Sequence, residues 1–272
     1  MSALIVALTG DLDGLLKDEK IILPYLSLLR KLNIKATIFA TTEFVETYPE
    51  IIKKILHEGH ELAGHGDVHE RFDVSFKEQK KRLENMKEKI KDTCGVEVKG
   101  FRAPWLSYNA KTYKALEVLG MEYSSNVLNK LFFHRIPFLG SVYSLSSFSK
   151  WIKTWFIISQ IFLKSKNFKP YRVGKIVEIP ITSPDDHKLI DAPEGPKFKP
   201  EESAKIGEIW KSVFELLPRD SVYVLQAHPH RVASGYLPAL ENFLIHAIKH
   251  DTRFYTLYNL NKEFRESNHT RT

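Results

Sequence analysis

Cysteine is nearly absent. The 272-residue chain has one, Cys94, so no internal disulfide framework is available and a reducing compartment is expected. Cys94 lies in Lys91-Asp92-Thr93-Cys94-Gly95, an expected helix end, and reads as structural. Long apolar runs are missing too. None reaches the roughly 20 residues of a membrane-spanning helix. The run at 4–8 meets Asp11 and Asp13 at once, so a buried strand is expected there rather than a signal peptide, and a cytoplasmic location with it. No nucleic-acid motif is present, and no nucleic-acid partner is expected. Acidic residues (33) are outnumbered by lysine and arginine (40), for a net charge of +7 and a pI near 9.2. The lysines are spread over most expected helices, which suits a solvated surface better than a binding stripe. No internal repeat, low-complexity tract or linker divides the chain.

What is present is a rhythm of strand then helix. Leu4–Leu8 reads as a strand ending in an acidic turn, Ile21–Leu32 as a helix and Lys35–Ala40 as a strand. Pro49–Glu58 is a helix with Gly59 after its end, His60–Ala63 a strand, and Phe76–Thr93 a long charged helix. Val98–Phe101, Glu122–Ser124, Lys175–Pro180, Val222–Gln226 and Arg253–Thr256 read as further strands. Asn109–Leu119, Ser203–Leu217, Leu237–Lys249 and Asn259–Phe264 read as helices, with a frayed polar tail from Arg265. Strand–helix alternation argues for an α/β fold with parallel strands, a barrel or a wound sheet. In such folds the chemistry gathers at the carboxyl ends of the strands. Asp11, Asp13, His65, His69 and Arg102 all fall at such ends.

The stretch Gly59–His69 reads GHELAGHGDVH. His65 and His69 are four apart, which puts both imidazoles on one face of a helical turn. Two histidines make half a metal site, and Asp13 is the natural third ligand, leaving open positions for water and substrate. Zinc suits this donor set best among divalent ions. Asp11 could then take a proton from metal-bound water. An Asp-x-Asp-Gly string is also ordinary turn chemistry. Arg102 could pair with Asp11 and hold it ionised, or form a structural salt bridge. His228 closes a strand and could be the acid that protonates a leaving amine, with His230 second in rank. His57, His60, His134, His187, His246 and His250 read as structural or surface residues.

Taken in order, TGDLDG, ATIF, PEIIKKILHEGHELAGHGDVH, GFRAPW, EYSSN and LQAHP resemble the motifs of the polysaccharide deacetylase family, the NodB-homology domain. The resemblance runs from about Leu4 to Phe264, except an apolar insert at 127–175. It implies a distorted (β/α)7-type barrel, one domain over 1–266 with a polar tail at 267–272. It implies metal-dependent hydrolysis of an N-acyl group, usually N-acetyl on an amino sugar. Residue by residue it implies Asp11 as base, Asp13, His65 and His69 as ligands of one divalent metal, Arg102 as tuner of the base and His228 as acid. A backbone N–H near Trp105 would help hold the oxyanion.

The chain departs from the family pattern at three points. Leu12 separates the two aspartates, which are adjacent in the common form, and that spacing resembles branches acting on less usual substrates. No acidic partner for His228 is evident; Asp185 and Asp186 could stand in. Trp105-Leu106 replaces an aromatic–glycine ending. The insert holds the very apolar run 131–163, which reads either as a barrel-covering helix or as a flap making peripheral contact with a membrane. The expected substrate is an amino sugar or glycan, soluble or lipid-linked. The alternatives are hydrolysis of a cyclic ureide or imide, and an inactive carbohydrate-binding relative.

Overall fold

The apolar run that begins at Leu4 does not stop at Leu8. In the computed structural model, which describes residues 4–14, 16, 18–129, 168–193 and 195–269, strand β1 spans Ile5–Leu12 and every residue in it is buried. Asp11 therefore belongs to a strand and not to a turn. A parallel strand covered on both faces needs apolar side chains on both, and β1 supplies them in alternation. Ile5 and Ala7 join an inner cluster with Phe39, Ala63, Tyr123, Val177, Val222 and Val224. Val6, Leu8 and Leu12 join an outer cluster packed under the helices.

The other main strands are β2 (Thr37–Ala40), β3 (Glu61–Gly64), β4 (Gly100–Phe101) and β5 (Tyr123–Ser124). Beyond them come β6 (Leu128–Asn129), β7 (Tyr171–Val173), β8 (Ile176–Glu178), β9 (Ile181–Thr182), β10 (Val222–Gln226) and β11 (Arg253–Phe254). Nine of these form one sheet in the order β10-β1-β2-β3-β4-β5-β8-β7, with β11 added beside the lower half of β1. All its ladders are parallel except β7–β8. The sheet curls into a half-barrel. Strand β6 pairs with β9, and β9 leans on β10 through the Val224 N–H, which donates to Thr182 Oγ1 at 3.2 Å.

The helices are α1 (Leu23–Lys31), α2 (Thr42–Thr47), α3 (Pro49–His57), α4 (Phe76–Cys94), α5 (Ala110–Val118), α6 (Asp186–Ile190), α7 (Ser203–Leu216), α8 (Pro229–Ala233), α9 (Leu237–Lys249) and α10 (Leu257–His269). Their starts follow from local chemistry. Ser75 caps α4 by accepting from the Glu78 N–H, and Gly95 ends it at φ 71°, a left-handed position that suits glycine. Leu83, Met86 and Ile90 form its buried stripe.

Three expectations change. The helix expected from Ile21 begins as a 3-10 turn at Glu19–Ile22, and α1 proper starts at Leu23 with Pro24 in its first turn. The tail expected to fray from Arg265 continues as α10 to His269. Arg265 donates to the Glu122 and Lys175 carbonyls at 2.6 and 2.9 Å, fixing the helix under the barrel floor. Helices α2, α6 and α8 were not anticipated. Residues 130–167 lie outside the described residues. With them lie most of the insert expected at 127–175, the whole run 131–163 proposed for membrane contact, and His134. Among the described residues no helix is long and apolar enough to cross a membrane.

Candidate active site

The alternation of β1 explains the spaced aspartates. Thr9 and Asp11 follow Ile5 and Ala7 on the inner face, while Leu12 turns outward into the helix-facing core at 0% exposure. An aspartate in place of Leu12 would bury a charge among apolar side chains.

Asp11 is buried and fully engaged. Arg102, itself 0% exposed, donates from Nη1 to Asp11 Oδ1 at 2.7 Å and to Thr9 Oγ1 at 3.1 Å. Its other nitrogens donate to the Ser125 carbonyl (3.0 Å) and hydroxyl (2.9 Å), and the guanidinium lies over the Phe39 ring at 4.2 Å. Burial alone would raise the Asp11 pKa. The Arg102 charge, followed by His65 and His228, outweighs burial and holds the carboxyl well below the usual carboxylate range.

His65 follows β3. Its Nδ1 donates to the Arg102 carbonyl at 2.9 Å, which leaves the Nε2 lone pair facing Asp11 Oδ2 at 3.9 Å. Burial, with help from His69 and Arg102, lowers its pKa to about 4 against the pull of Asp11, so the ring is neutral at neutral pH. The helical turn expected for His65 and His69 does not form: residues 65–75 are irregular, with Gly66 at φ 89°. The rings still lie 5.3 Å apart. Helix α4 holds the loop in place. Arg82 donates to Asp67 Oδ1 at 2.6 Å, to the Arg71 carbonyl at 3.0 Å and to the Val68 carbonyl at 3.4 Å. His69 Nε2 faces Asp13 Oδ2 at 3.7 Å, and the Trp105 ring packs on the other side of His69 at 4.8 Å. Trp105 is 63% exposed, at the lip of the site. Trp105 and Leu106 sit at φ 58° and 51°, so the departure from an aromatic–glycine ending falls on a left-handed position.

Asp13, His65 and His69 are thus on one side of the barrel mouth but not closed on one point. Among the described residues, no group of three or more such donors is drawn together tightly enough to hold a metal ion. The donor chemistry nevertheless fits one. His65 is neutral with its tautomer fixed by a backbone carbonyl, the arrangement a ligating imidazole requires. A carboxylate and a second imidazole stand beside it.

His228 closes β10 opposite. Its Nδ1 donates to Asp186 Oδ1 at 2.8 Å, and its backbone N–H donates to Asp186 Oδ2 at 2.8 Å. Nε2 points to Asp11 Oδ2 at 3.7 Å. Burial would lower the His228 pKa, but the Asp186 charge and hydrogen bond, with Asp11 behind them, raise it above its ordinary value. Asp186 is itself held down at about 2, because His228 and Arg231 outweigh its burial. His230 has no such partner: burial, His228 and Arg231 push it down to about 4, so it does not rival His228 as acid. His60 is behind the site, accepting from the Ala36 N–H at 3.1 Å.

Sequence reasoning left Asp186 as one of two stand-ins and passed over Gln226, Ser125 and Asn126. Gln226 Nε2 donates to Asp11 Oδ2 at 2.7 Å and lies 3.4 Å from His228 Nε2. The signal was available. Val222 and Val224 point inward, so the next inward residue at the strand's carboxyl end is Gln226. Asn126 Oδ1 accepts from the Ala103 N–H at 2.7 Å and so fixes the loop that carries Trp105.

Residues 5–124 match the family model described as Polysaccharide deacetylase. That match covers the strands delivering Asp11, Asp13, His65, His69 and Arg102. The resemblance over this stretch is to a family of deacetylases. A peptidoglycan deacetylase of Helicobacter pylori is 25% identical over 268 residues, covering 94% of this chain and 87% of that protein. The fold agrees with that of a Mycobacterium smegmatis protein assigned as a polysaccharide deacetylase (TM-score 0.74, 21% identity, 98% and 92% of the two chains). It also agrees with that of an allantoinase (TM-score 0.66, 12% identity, 97% and 91%). The parallel strands are those the strand rhythm implied, and the curled half-barrel agrees with the distorted barrel that the motif resemblance implied.

Proposed function

We propose that this chain is a metal-dependent amide hydrolase that removes an N-acetyl group from an amino sugar of a glycan. The observation that carries the proposal is the pair Asp11 and His228. They stand 3.7 Å apart, and their environments push them to opposite protonation states. Two titratable groups separated in this way can serve as base and acid in one cycle.

A divalent ion, zinc by donor type, would be held by Asp13, His65 and His69, and would supply Lewis acidity and a more acidic water. Asp11, kept ionised by Arg102, receives the proton of the attacking water at its inward oxygen, Oδ2. His228 delivers a proton from Nε2 to the departing nitrogen, while Asp186 holds Nδ1–H and keeps the ring in the correct orientation. The backbone N–H at Trp105 supports the developing oxyanion, and its exposed indole offers a face for a sugar ring. The full-length similarity to a peptidoglycan deacetylase supports an N-acetylated amino sugar as the substrate class.

The test is acetate release from a panel of N-acetylated sugars and glycan fragments, with wild type and Asp11→Asn. Release by wild type with at least a hundredfold loss in the variant is expected. Turnover of a cyclic ureide without acetate release would replace the sugar reading with ureide chemistry. Sugar binding that survives Asp13→Ala without any turnover would make the chain a binding relative.

A further inference from the structure

The side chain of Gln226 touches both Asp11 and His228, yet base, acid and ligand roles leave it unassigned. It is the inward residue at the end of β10, 4% exposed, directly between Asp11 and His228. Its amide orientation is set by its hydrogen bond: Gln226 Nε2 donates to the Asp11 carboxyl oxygen Oδ2 at 2.7 Å. The oxygen is then the other end of the same planar group, and Oε1 is buried with no hydrogen-bond partner. Nε2 lies 3.4 Å from His228 Nε2, the atom assigned above as proton donor to the departing nitrogen, so the amide sits beside that donor. A buried acceptor without a donor costs about 1–3 kcal/mol, which a substrate N–H placed there would recover.

We propose that Gln226 is a specificity-determining residue. Its Oε1 accepts the N–H of a secondary amide at the scissile bond and turns the nitrogen lone pair toward His228 Nε2. The inference rests on the amide-hydrolase reading above and names what that site reads: the N–H itself. An acyl ester of the same sugar has an oxygen at this position and offers no proton to Oε1. A site built around a substrate N–H rejects the analogue that lacks it, because its own acceptor stays unpaired. The reaction is unchanged: water adds to the carbonyl carbon, the C–N bond breaks, and the amine leaves with the proton from His228.

The experiment compares kcat/KM for an N-acetylated sugar and for the matched O-acetyl ester in wild type, Gln226→Met and Gln226→Glu. Thermal melting establishes that each variant is folded. Met removes both the acceptor and the donor to Asp11. Both substrates then lose whatever the Asp11 contact contributes, and the amide loses about a further tenfold or more, so the amide-to-ester ratio collapses. Glu keeps an acceptor while losing the donor to Asp11, so both substrates slow together and the ratio is retained. A ratio unchanged in Gln226→Met, with wild type active on amides, overturns this inference and leaves the amide-hydrolase reading intact. Wild type that releases acetate from no N-acetyl sugar overturns the reading, and this inference falls with it. A ratio that collapses equally in both variants shows that the Asp11 contact alone sets the preference, and also overturns the inference.

Discussion

Asp186 decides what His228 can do. Its carboxylate takes the imidazole Nδ1–H at 2.8 Å and raises the ring's pKa, which favours the acid form. In Asp186→Asn that support is lost and burial pulls the pKa down. The alkaline limb of the pH–rate profile for acetate release should move to lower pH, and kcat should fall about 10²–10⁴-fold. An unmoved limb would show that His228 is not the acid. The stability sign follows the same shift. A raised folded pKa contributes stability that is full below about pH 6.5 and is lost as pH rises through the folded value. Several residues were legible in the sequence because they close strands: Asp11, His65, Arg102 and His228. Asp186 was not, because it belongs to a short helix whose place depends on β9 and β10 lying side by side. A partner 42 residues away announces itself only through that contact.

At the scale of elements, loops are positioned by the helices behind them. The irregular segment carrying His65 and His69 has no ladder of its own and depends on Arg82 of α4, whose side chain is 8% exposed. Arg82→Met should leave the sheet folded but loosen the segment. Metal affinity, read by competition with a chelator, should fall about 10–100-fold, the range for groups that orient ligands. The i, i+4 spacing of the two histidines suggested a helical turn, and local spacing could not distinguish that from a loop tied down by a distant arginine. Strand–strand contacts are tighter still. A Cβ at Gly100 would come within 1.9 Å of the Tyr123 ring, whose hydroxyl is anchored on half-buried Glu61. Gly100→Ala should cost about 1–3 kcal/mol or more, seen as a lower denaturation midpoint. A change under about half that would mean Tyr123 can yield.

The barrel taken whole is open and chemical at one end, closed and apolar at the other. The closed end depends on α10. Leu257 and Leu260 complete the inner cluster, the Leu257 N–H donates to Thr37 Oγ1 at 2.8 Å, and the Tyr258 N–H donates to Glu61 Oε2 at 3.0 Å. Leu260→Ala should destabilise the whole molecule by about 2–5 kcal/mol in urea melts, with metal affinity unchanged once folded. A loss confined to fraying of the last helix would show that the floor folds independently. The sequence conveyed the parallel strands through its periodicity and the barrel through its motif resemblance. It hid this floor because Arg265 looks like a solvated tail residue until the carbonyls of Glu122 and Lys175 are beside it.

Glu178 has a consequence for how this scaffold can change. It is buried where β8 ends, and it accepts from the backbone N–H groups of Asn126 and Val127 at 2.8 and 2.9 Å, from Tyr113 at 3.2 Å and from the Ser124 hydroxyl. Glu178 thus ties the end of β8 to the segment that follows β5, one residue beyond the Ser125 that holds Arg102. The entropic cost of closing a loop on such a clamp grows only with the logarithm of its length. Segments of very different length and composition can be grafted between these two points while Arg102 and Asp11 keep their geometry. The clamp thus separates a change of chain length at this point from the geometry of the Arg102–Asp11 pair.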